Sequence, residues 1–494
     1  MEVPAISSLR GLRYDQLAGL ILVSLSFVYV LRGFINPLSE IPGPWYSRWT
    51  NLVLAYHNVR GKGPVYVQRL HEKYGPVVRI SSYQVDVSDG ESAKQIHRVK
   101  ADYLKTSFYG GGPKNKINIF NTRDVAVHSR HRKLLSQPLS ERGLKDMVPQ
   151  VEAKARLAVE KMSEEMKLRG AADVCNWWMF FTTDVIGQLS FGDSFRMLES
   201  GKKNTYIEDL ERVGLSIVLS AAFPKPIFHL LLLLPVPLLK AMREGDERMT
   251  ASAKDLLQKY RNHVTNEPNP RPMLFTKIMK GETDGETISQ EEIVGDAELF
   301  IIAGSDTTST TLTYLTWAVC RNPEIRARLV KEVEGLKDDF TDDDVKNLPY
   351  LNMCITETLR RYPVAPTALP RYVPKEGTMM NGVCLPGGSV VTTHNWCLHM
   401  NKEVYPEPEL FDPLRWETPT KQMKDHFMPF SHGSRNCIGM HLAQIELRLG
   451  IAHFFRAFPK ATVSTLEGMQ DKDMDQLLYF VSSPASHRCL INEC

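Results

Sequence analysis

Hydrophobic positions change period several times along this chain, and each change predicts an element. Residues 16–31 read QLAGLILVSLSFVYVL, without a charge, followed by Arg32 and then Phe34 and Ile35. A membrane span needs about 20 apolar residues, a length this run reaches once Arg32 snorkels to the interface. The pattern predicts a single N-terminal transmembrane helix. A cleaved signal peptide is the rival reading, but no small-x-small cleavage site follows. IPGPW at 41–45 reads instead as a stiff hinge. Flanking charge is nearly balanced, so it does not set the orientation.

Beyond the hinge, a helical pattern begins near Val65, and VVRIS and QVDVS then alternate as strands of a small sheet. Helical patterns dominate 129–266, and 291–320 forms one long helix whose acidic start suits the positive end of the helix dipole. Residues 362–393 turn rich in Pro and Gly, with short strands such as SVVTT. Helix returns after Cys437, and strand-like pieces such as LLYFVSS close the chain. With no repeat and no low-complexity linker, the expectation is a mainly α domain with a minor β region. Residues 1–40 would be anchor and hinge, and 41–494 the main domain. PIFHLLLLLPVPLL at 226–239 is too short to span a membrane and is broken by Pro235 and Pro237. It is either a buried loop or a segment dipping into the membrane surface, and the anchor favours the second.

Composition narrows the class. The 494 residues are 43% hydrophobic and 24% charged, ordinary for a folded protein. A net charge of +3 gives no reason to expect nucleic acid. The eight cysteines form no CxxC pair, which disfavours a zinc ribbon or a disulfide scaffold and suits a reducing compartment.

Four stretches carry candidate chemistry. Within ELFIIAGSDTTSTTLTYLTWAVC, at 298–320, a polar island at 304–311 holds Asp306 and Thr307 midway along an apolar helix. Such groups are costly inside a helix unless hydrogen-bonded, so the island is either a satisfied kink or a groove where a ligand meets proton donors. In TETLRRYP, Glu357 and Arg360 are three apart and share a helical face. Arg371 follows a proline in APTALPRYV, and FDPLRW carries Arg415. Finally, FSHGSRNCIGM at 430–440 bends a glycine-rich loop around Cys437 just before a helix, where amides and dipole favour a thiolate. That thiolate could be a nucleophile with His432 or His441 as base, a redox sensor or a metal ligand. Zinc would want further N or S ligands nearby, whereas haem iron needs one protein ligand on its proximal face.

These motifs together resemble the cytochrome P450 family. Residues 430–439 match its haem-binding pattern, with Phe430, Gly433, Arg435, Cys437 and Gly439 at the defining positions. AGSDTT at 303–308 looks like its oxygen-activation motif, Glu357 and Arg360 like its E-x-x-R pair, and Arg415 like the arginine completing that network. Where many members carry W-x-x-x-R, this chain has His128 and Arg132; both can donate to a haem propionate, and an ordinary surface histidine is the lesser alternative for His128. With TTDVIGQLSFGDSF at 182–195, this variant is similar to filamentous-fungal members, many of them in secondary metabolism.

The resemblance implies the P450 fold and haem b ligated by the Cys437 thiolate. Arg435, Arg132, His128, Arg371, Phe430, Gly433 and Gly439 would hold the cofactor, and Asp306 and Thr307 would manage protons. It also implies electrons from NADPH through a reductase, with cytochrome b5 as an optional second donor. The enzyme would be single-pass in the endoplasmic reticulum membrane, with its catalytic domain cytosolic. A lipophilic substrate would be hydroxylated, epoxidised or desaturated among residues of the 103–120 loop, Leu299, Ile302, Val364, Ala365 and Phe480. Alternatives are a haem-thiolate isomerase or dehydratase, a non-catalytic haem sensor, and a thiol hydrolase using Cys437.

Overall fold

The predicted elements form with small shifts at their ends. The computed structural model describes residues 13–99, 102–110, 116–203, 205–223, 225–266, 273–279 and 288–493. Its principal helices are α1 (Tyr14–Ile35), α2 (Leu52–Val59), α3 (Gly63–Tyr74), α4 (Gly90–Ile96), α5 (Val125–Ser136), α6 (Val148–Arg169) and α7 (Val174–Phe191). There follow α8 (Thr205–Ala222), α9 (Lys225–Leu232), α10 (Pro237–Asn266), α11 (Gln290–Arg321), α12 (Pro349–Arg361) and α13 (Met440–Ala457). The strands that matter for the site are β1 (Val77–Arg79), β2 (Gln84–Val87), β3 (Arg371–Tyr372), β4 (Val390–Thr392), β5 (Gln476–Leu478) and β6 (Ser482–Pro484).

Ser289 and Glu292 cap α11 reciprocally: each side chain accepts the other's backbone N–H, at 3.2 and 2.8 Å. Every residue of this helix from 308 to 320 is buried. The neighbouring α7 is joined to it by Trp178 Nε1 donating to Thr316 Oγ1 (3.0 Å) and Thr182 Oγ1 donating to the Ser305 carbonyl (2.8 Å). Gly304 weakens the isolated helix by about 1 kcal/mol, yet a Cβ there would lie 2.8 Å from Ile186 Cγ1. The glycine is where the two helices meet. On another side, α13 packs against α11 and α6, and its apolar residues complete the main core.

The minor β region contains a four-stranded sheet in the order β1–β2–β4–β3. Val78 pairs antiparallel with Asp86, Val85 parallel with Val391, and Arg371 antiparallel with Val391. This sets Arg371 on an outer strand, facing inward and buried. Strands β5 and β6 form a hairpin whose turn carries Phe480.

The hinge is clamped. Arg79, fully buried, donates from Nη1 to the carbonyls of Leu38, Ser39 and Ile41, from Nη2 to Pro44, and from Nε to Ser47 Oγ. Gly43 passes so close that a Cβ would sit 2.5 Å from the Arg79 carbonyl. One guanidinium fork thus fixes the segment expected to form a stiff hinge. At the end of α1, Trp49 Nε1 donates to the Val30 carbonyl (3.0 Å), and a Cβ on Gly33 would overlap the Trp49 ring. The rest of α1 is almost wholly exposed and is long and apolar enough to cross a membrane.

The buried-loop alternative for 226–239 does not survive. α9 and α10 are bent by 101° about a short break. Around it Leu230 (65%), Leu233 (70%) and Leu234 (45%) are exposed. This apolar surface follows α8, which packs against α2 just beyond the anchor.

Candidate active site

The loop around Cys437 is closed by its own N–H, which donates to the Phe430 carbonyl at 2.9 Å. Gly433 has φ +67, and a Cβ there would lie 1.9 Å from the His97 carbonyl, so the position takes only glycine. Gly439 differs: its φ is −88 and open space surrounds it. By accessible area Cys437 is exposed, yet desolvation is the largest influence on its thiol. Both hold for a side chain facing an internal cleft. That burial raises the thiol's pKa, outweighing the Gly439 N–H and Arg132, which lower it. The helix start and Arg132 thus do not by themselves make this thiol a thiolate, contrary to the expectation. Neither His432 nor His441 hydrogen-bonds this thiol among the described residues; His441 lies 3.8 Å from Glu141 instead.

Behind the loop stands a buried lock. Glu357 and Arg360 are both fully buried on α12 and pair through two bonds, at 2.8 and 2.9 Å. Glu357 also accepts from Arg415 Nε (3.1 Å), Trp416 Nε1 (2.9 Å) and the Asp412 N–H (3.0 Å). Arg360 Nη1 donates to the His399 carbonyl, and His399 Nε2 accepts the Met428 N–H at 3.1 Å. Trp416 packs on Phe427 with ring centroids 4.8 Å apart. Side chains of the lock thus touch the backbone leading into Phe430.

In front of it cationic groups converge from separate elements. Arg132 of α5 donates to the Asn436 carbonyl at 2.7 Å, and Arg435 to the Thr122 carbonyl at 3.0 Å. Arg371 donates to the Tyr109 hydroxyl at 2.6 Å. Lys105, buried, donates to the Phe120 carbonyl and stands over the Tyr109 and Phe120 rings. His128 and His97 are also buried. Among the described residues none of these arginines or Lys105 makes an ion pair with a carboxylate, and the Asp124 carboxylate is engaged in capping α5. The result is strained electrostatics. Burial and then Arg371 hold Lys105 well below the usual lysine range. Burial and then Arg371 lower Arg435 to about 10. Burial and then Arg435 lower His128 to about 3. A surface role for His128 is excluded.

On α11, Thr307 Oγ1 donates to the Ala303 carbonyl at 2.8 Å. Ala303 keeps accessible area in the middle of a core helix, so this face borders a cleft. Asp306, next to Thr307, is pushed up to about 7, first by burial and then by Glu211. Phe108, Tyr109, Phe120 and Phe480 form an aromatic wall, with successive centroids 5.2 to 6.2 Å apart. The Phe480 turn is fixed beside Val364 by the Ser482 N–H, which donates to the Val364 carbonyl at 2.8 Å. Tyr103 does not join this wall; it is buried among the sheet residues and donates to Thr378 Oγ1. Residues 111–115 of the same loop lie outside the described residues.

A family model for Cytochrome P450 matches residues 41–489, nearly all of the folded part. The chain belongs to the cytochrome P450 family. Similar proteins include the cytochrome P450 monooxygenase tazI of Aspergillus terreus, 44% identical over 96% of this chain and 97% of that protein. Another is the cytochrome P450 monooxygenase orf2 of Aspergillus niger, 38% identical over 96% of this chain and 97% of its relative. A third, the cytochrome P450 monooxygenase aflV of Aspergillus parasiticus, is 34% identical over 93% of this chain and 92% of its own length. The chain is thus a P450 monooxygenase, and membership implies haem with a cysteine thiolate ligand.

The residues present fit that group. Buried positive charge without carboxylate partners is costly, and His97 Nδ1 and His432 Nε2 are buried without hydrogen bonds. An anionic ligand edge beside Cys437 would relieve both. Lys105, His97, His399 and Trp416 are the participants that motif reading did not name. Nothing in their spacing signals them, because each reaches the site from a different element.

Two outcomes follow from the lock. Glu357→Gln leaves two arginines without their carboxylate and should cost about 3–5 kcal/mol, read as loss of haem-loaded protein at equal expression. His399 is held at about 3, by burial and then Arg360, against 6.5 for the free side chain. Its contribution to stability is therefore present above pH 6.5 and lost as pH falls toward 3. The denaturant midpoint should drop from about pH 7 to about pH 5, and the drop should shrink in His399→Gln.

Proposed function

We propose that this P450 is a haem-thiolate monooxygenase of fungal secondary metabolism, acting on a lipophilic polyketide- or terpenoid-type small molecule. The observation that carries the reading is the juxtaposition of Cys437 with a buried, uncompensated cationic cluster. Cys437 would ligate the iron. Arg132, Arg371, Arg435, His128, Lys105 and His97 would hold the propionates, while Phe430, Gly433 and Gly439 shape the loop beneath. Haem b bound there supplies activation of dioxygen and insertion of one oxygen atom into substrate.

The protein's own work is positional. The aromatic wall offers an apolar surface to substrate and excludes water from it. The Thr307 hydroxyl, fixed by Ala303, presents its oxygen to the cleft. Asp306, titrating at about 7, both takes and gives a proton near neutral pH. Retention of this pair argues against the isomerase or dehydratase reading. Electrons would come from NADPH through a membrane-bound reductase. The α1 anchor and the exposed 226–239 surface lie on linked elements and would share one bilayer face of the endoplasmic reticulum, leaving the catalytic domain in the cytosol.

Cys437→Ser should abolish the strongly red-shifted Soret band of the reduced, carbon monoxide-bound protein. Retention of the wild-type spectrum would refute the ligand assignment. Thr307→Ala should divert electrons into peroxide by about tenfold or more, measured as peroxide released per NADPH. Unchanged coupling would remove Thr307 from proton management.

A further inference from the structure

A second cluster of ligand-type side chains lies outside the haem site. His71 of α3, Asp86 of β2 and Cys397 of the short helix Asn395–His399 meet there. One ligand atom from each lies within 4.8 Å of the other two. Among the described residues no other trio of His, Cys, Asp and Glu is grouped this closely. Asp86 is fully buried, Cys397 is 3% exposed, and the His71 side chain, at 7%, is the most accessible of the three.

The hydrogen bonds fix which atoms face inward. His71 Nδ1 lies 2.9 Å from the Gly75 carbonyl. A carbonyl only accepts, so this nitrogen carries a hydrogen. His71 Nε2 then faces Asp86 Oδ1 at 2.8 Å. In a neutral ring that nitrogen presents a lone pair, here to an acceptor. Positive charge has to lie between them, as a second ring proton or as a metal ion. The surroundings favour the ion. The other oxygen, Asp86 Oδ2, is held by Thr392 Oγ1 at 2.5 Å and His394 Nδ1 at 2.6 Å. A histidine anchored to a backbone carbonyl and a carboxylate held by its own partners are how metal ligands are oriented. Cys397 Sγ closes a third side, and its one hydrogen bond is a long contact to the Pro64 carbonyl, 3.8 Å. A second ring proton would satisfy His71 and Asp86 but gives the thiol no part.

We propose that His71 Nε2, Asp86 Oδ1 and Cys397 Sγ bind one zinc ion, in a site separate from the haem pocket. A nitrogen, a sulfur and an oxygen together suit zinc, whereas magnesium and calcium take oxygen ligands. Water fills the fourth position of the tetrahedron. One zinc ion enters and two protons leave, from the Cys397 thiol and from His71 Nε2, and no electron moves. Thiolate, carboxylate and neutral imidazole then balance the divalent charge, as a buried site requires. The ion staples α3 and β2 to the Asn395–His399 helix. That helix ends at His399, which takes the Arg360 bond through its carbonyl and the Met428 bond through its ring. Zinc thus braces the lock behind Cys437 without touching the haem pocket. The proposal does not depend on the haem-thiolate assignment.

The test uses full-length holoprotein, freed of any affinity tag and fully loaded with haem. Zinc is supplied at buffered free concentration and counted per haem by plasma mass spectrometry. One zinc per haem is expected. Zinc-edge X-ray absorption should show one sulfur at about 2.3 Å and lighter ligands at about 2.0 Å. Cys397→Ser and His71→Gln should each weaken binding by about tenfold or more, with the carbon monoxide band unchanged. Equal zinc uptake in both variants would place the ion elsewhere on the protein and overturn the site. So would a wild type that takes up no zinc at about micromolar free ion, well above the range of structural sites. A spectrum without sulfur overturns it too, and this wild-type measurement decides alone if the variants do not fold.

Discussion

The Glu357 carboxylate is the constraint on which the haem side of this molecule depends. It is fully buried, and a buried charge persists only when paired and hydrogen-bonded. Five bonds from Arg360, Arg415, Trp416 and the Asp412 amide satisfy it. Those donors come from a helix and from a distant irregular segment, so satisfying one carboxylate fixes the path of a long loop. Through His399 and Trp416 the same network reaches residues 427–428, two steps from Phe430. The position of Cys437 is thus inherited from an ion pair rather than set by its own short loop.

A second set of buried charges has the opposite character. Lys105, Arg132, Arg371 and Arg435 converge without a carboxylate among the described residues, and burial followed by the charge of Arg371 lowers the pKa values of Lys105 and Arg435. The lock is electrostatically complete within the chain; among the described residues this cluster is not. Buried ion pairs add little net stability compared with apolar packing. The use of the lock here is geometric: it holds the loop.

The long helix α11 joins these regions. Gly304 brings α7 close, and hydroxyls bonded back to carbonyls one turn earlier line its middle: Thr307 to Ala303, Thr311 to Thr307, Thr313 to Ser309. Such back-bonding satisfies the polar side chains inside an apolar core. It also holds Thr307 on the face that borders the cleft.

Much of this was written in the sequence. The anchor, the long helix, the E-x-x-R spacing and the loop around Cys437 are local patterns, fixed by helical period, glycine and the chemistry of a few side chains. The same patterns do not show what holds the hinge, because the guanidinium that clamps 38–47 belongs to a strand about 35 residues later. They also credit the helix start with favouring thiolate at Cys437, whereas the desolvation that raises this thiol's pKa depends on everything packed around it. Lys105 and His97 had no local signature at all. Burial and charge proximity are sums over residues far apart in the chain, and only the tertiary structure performs that sum.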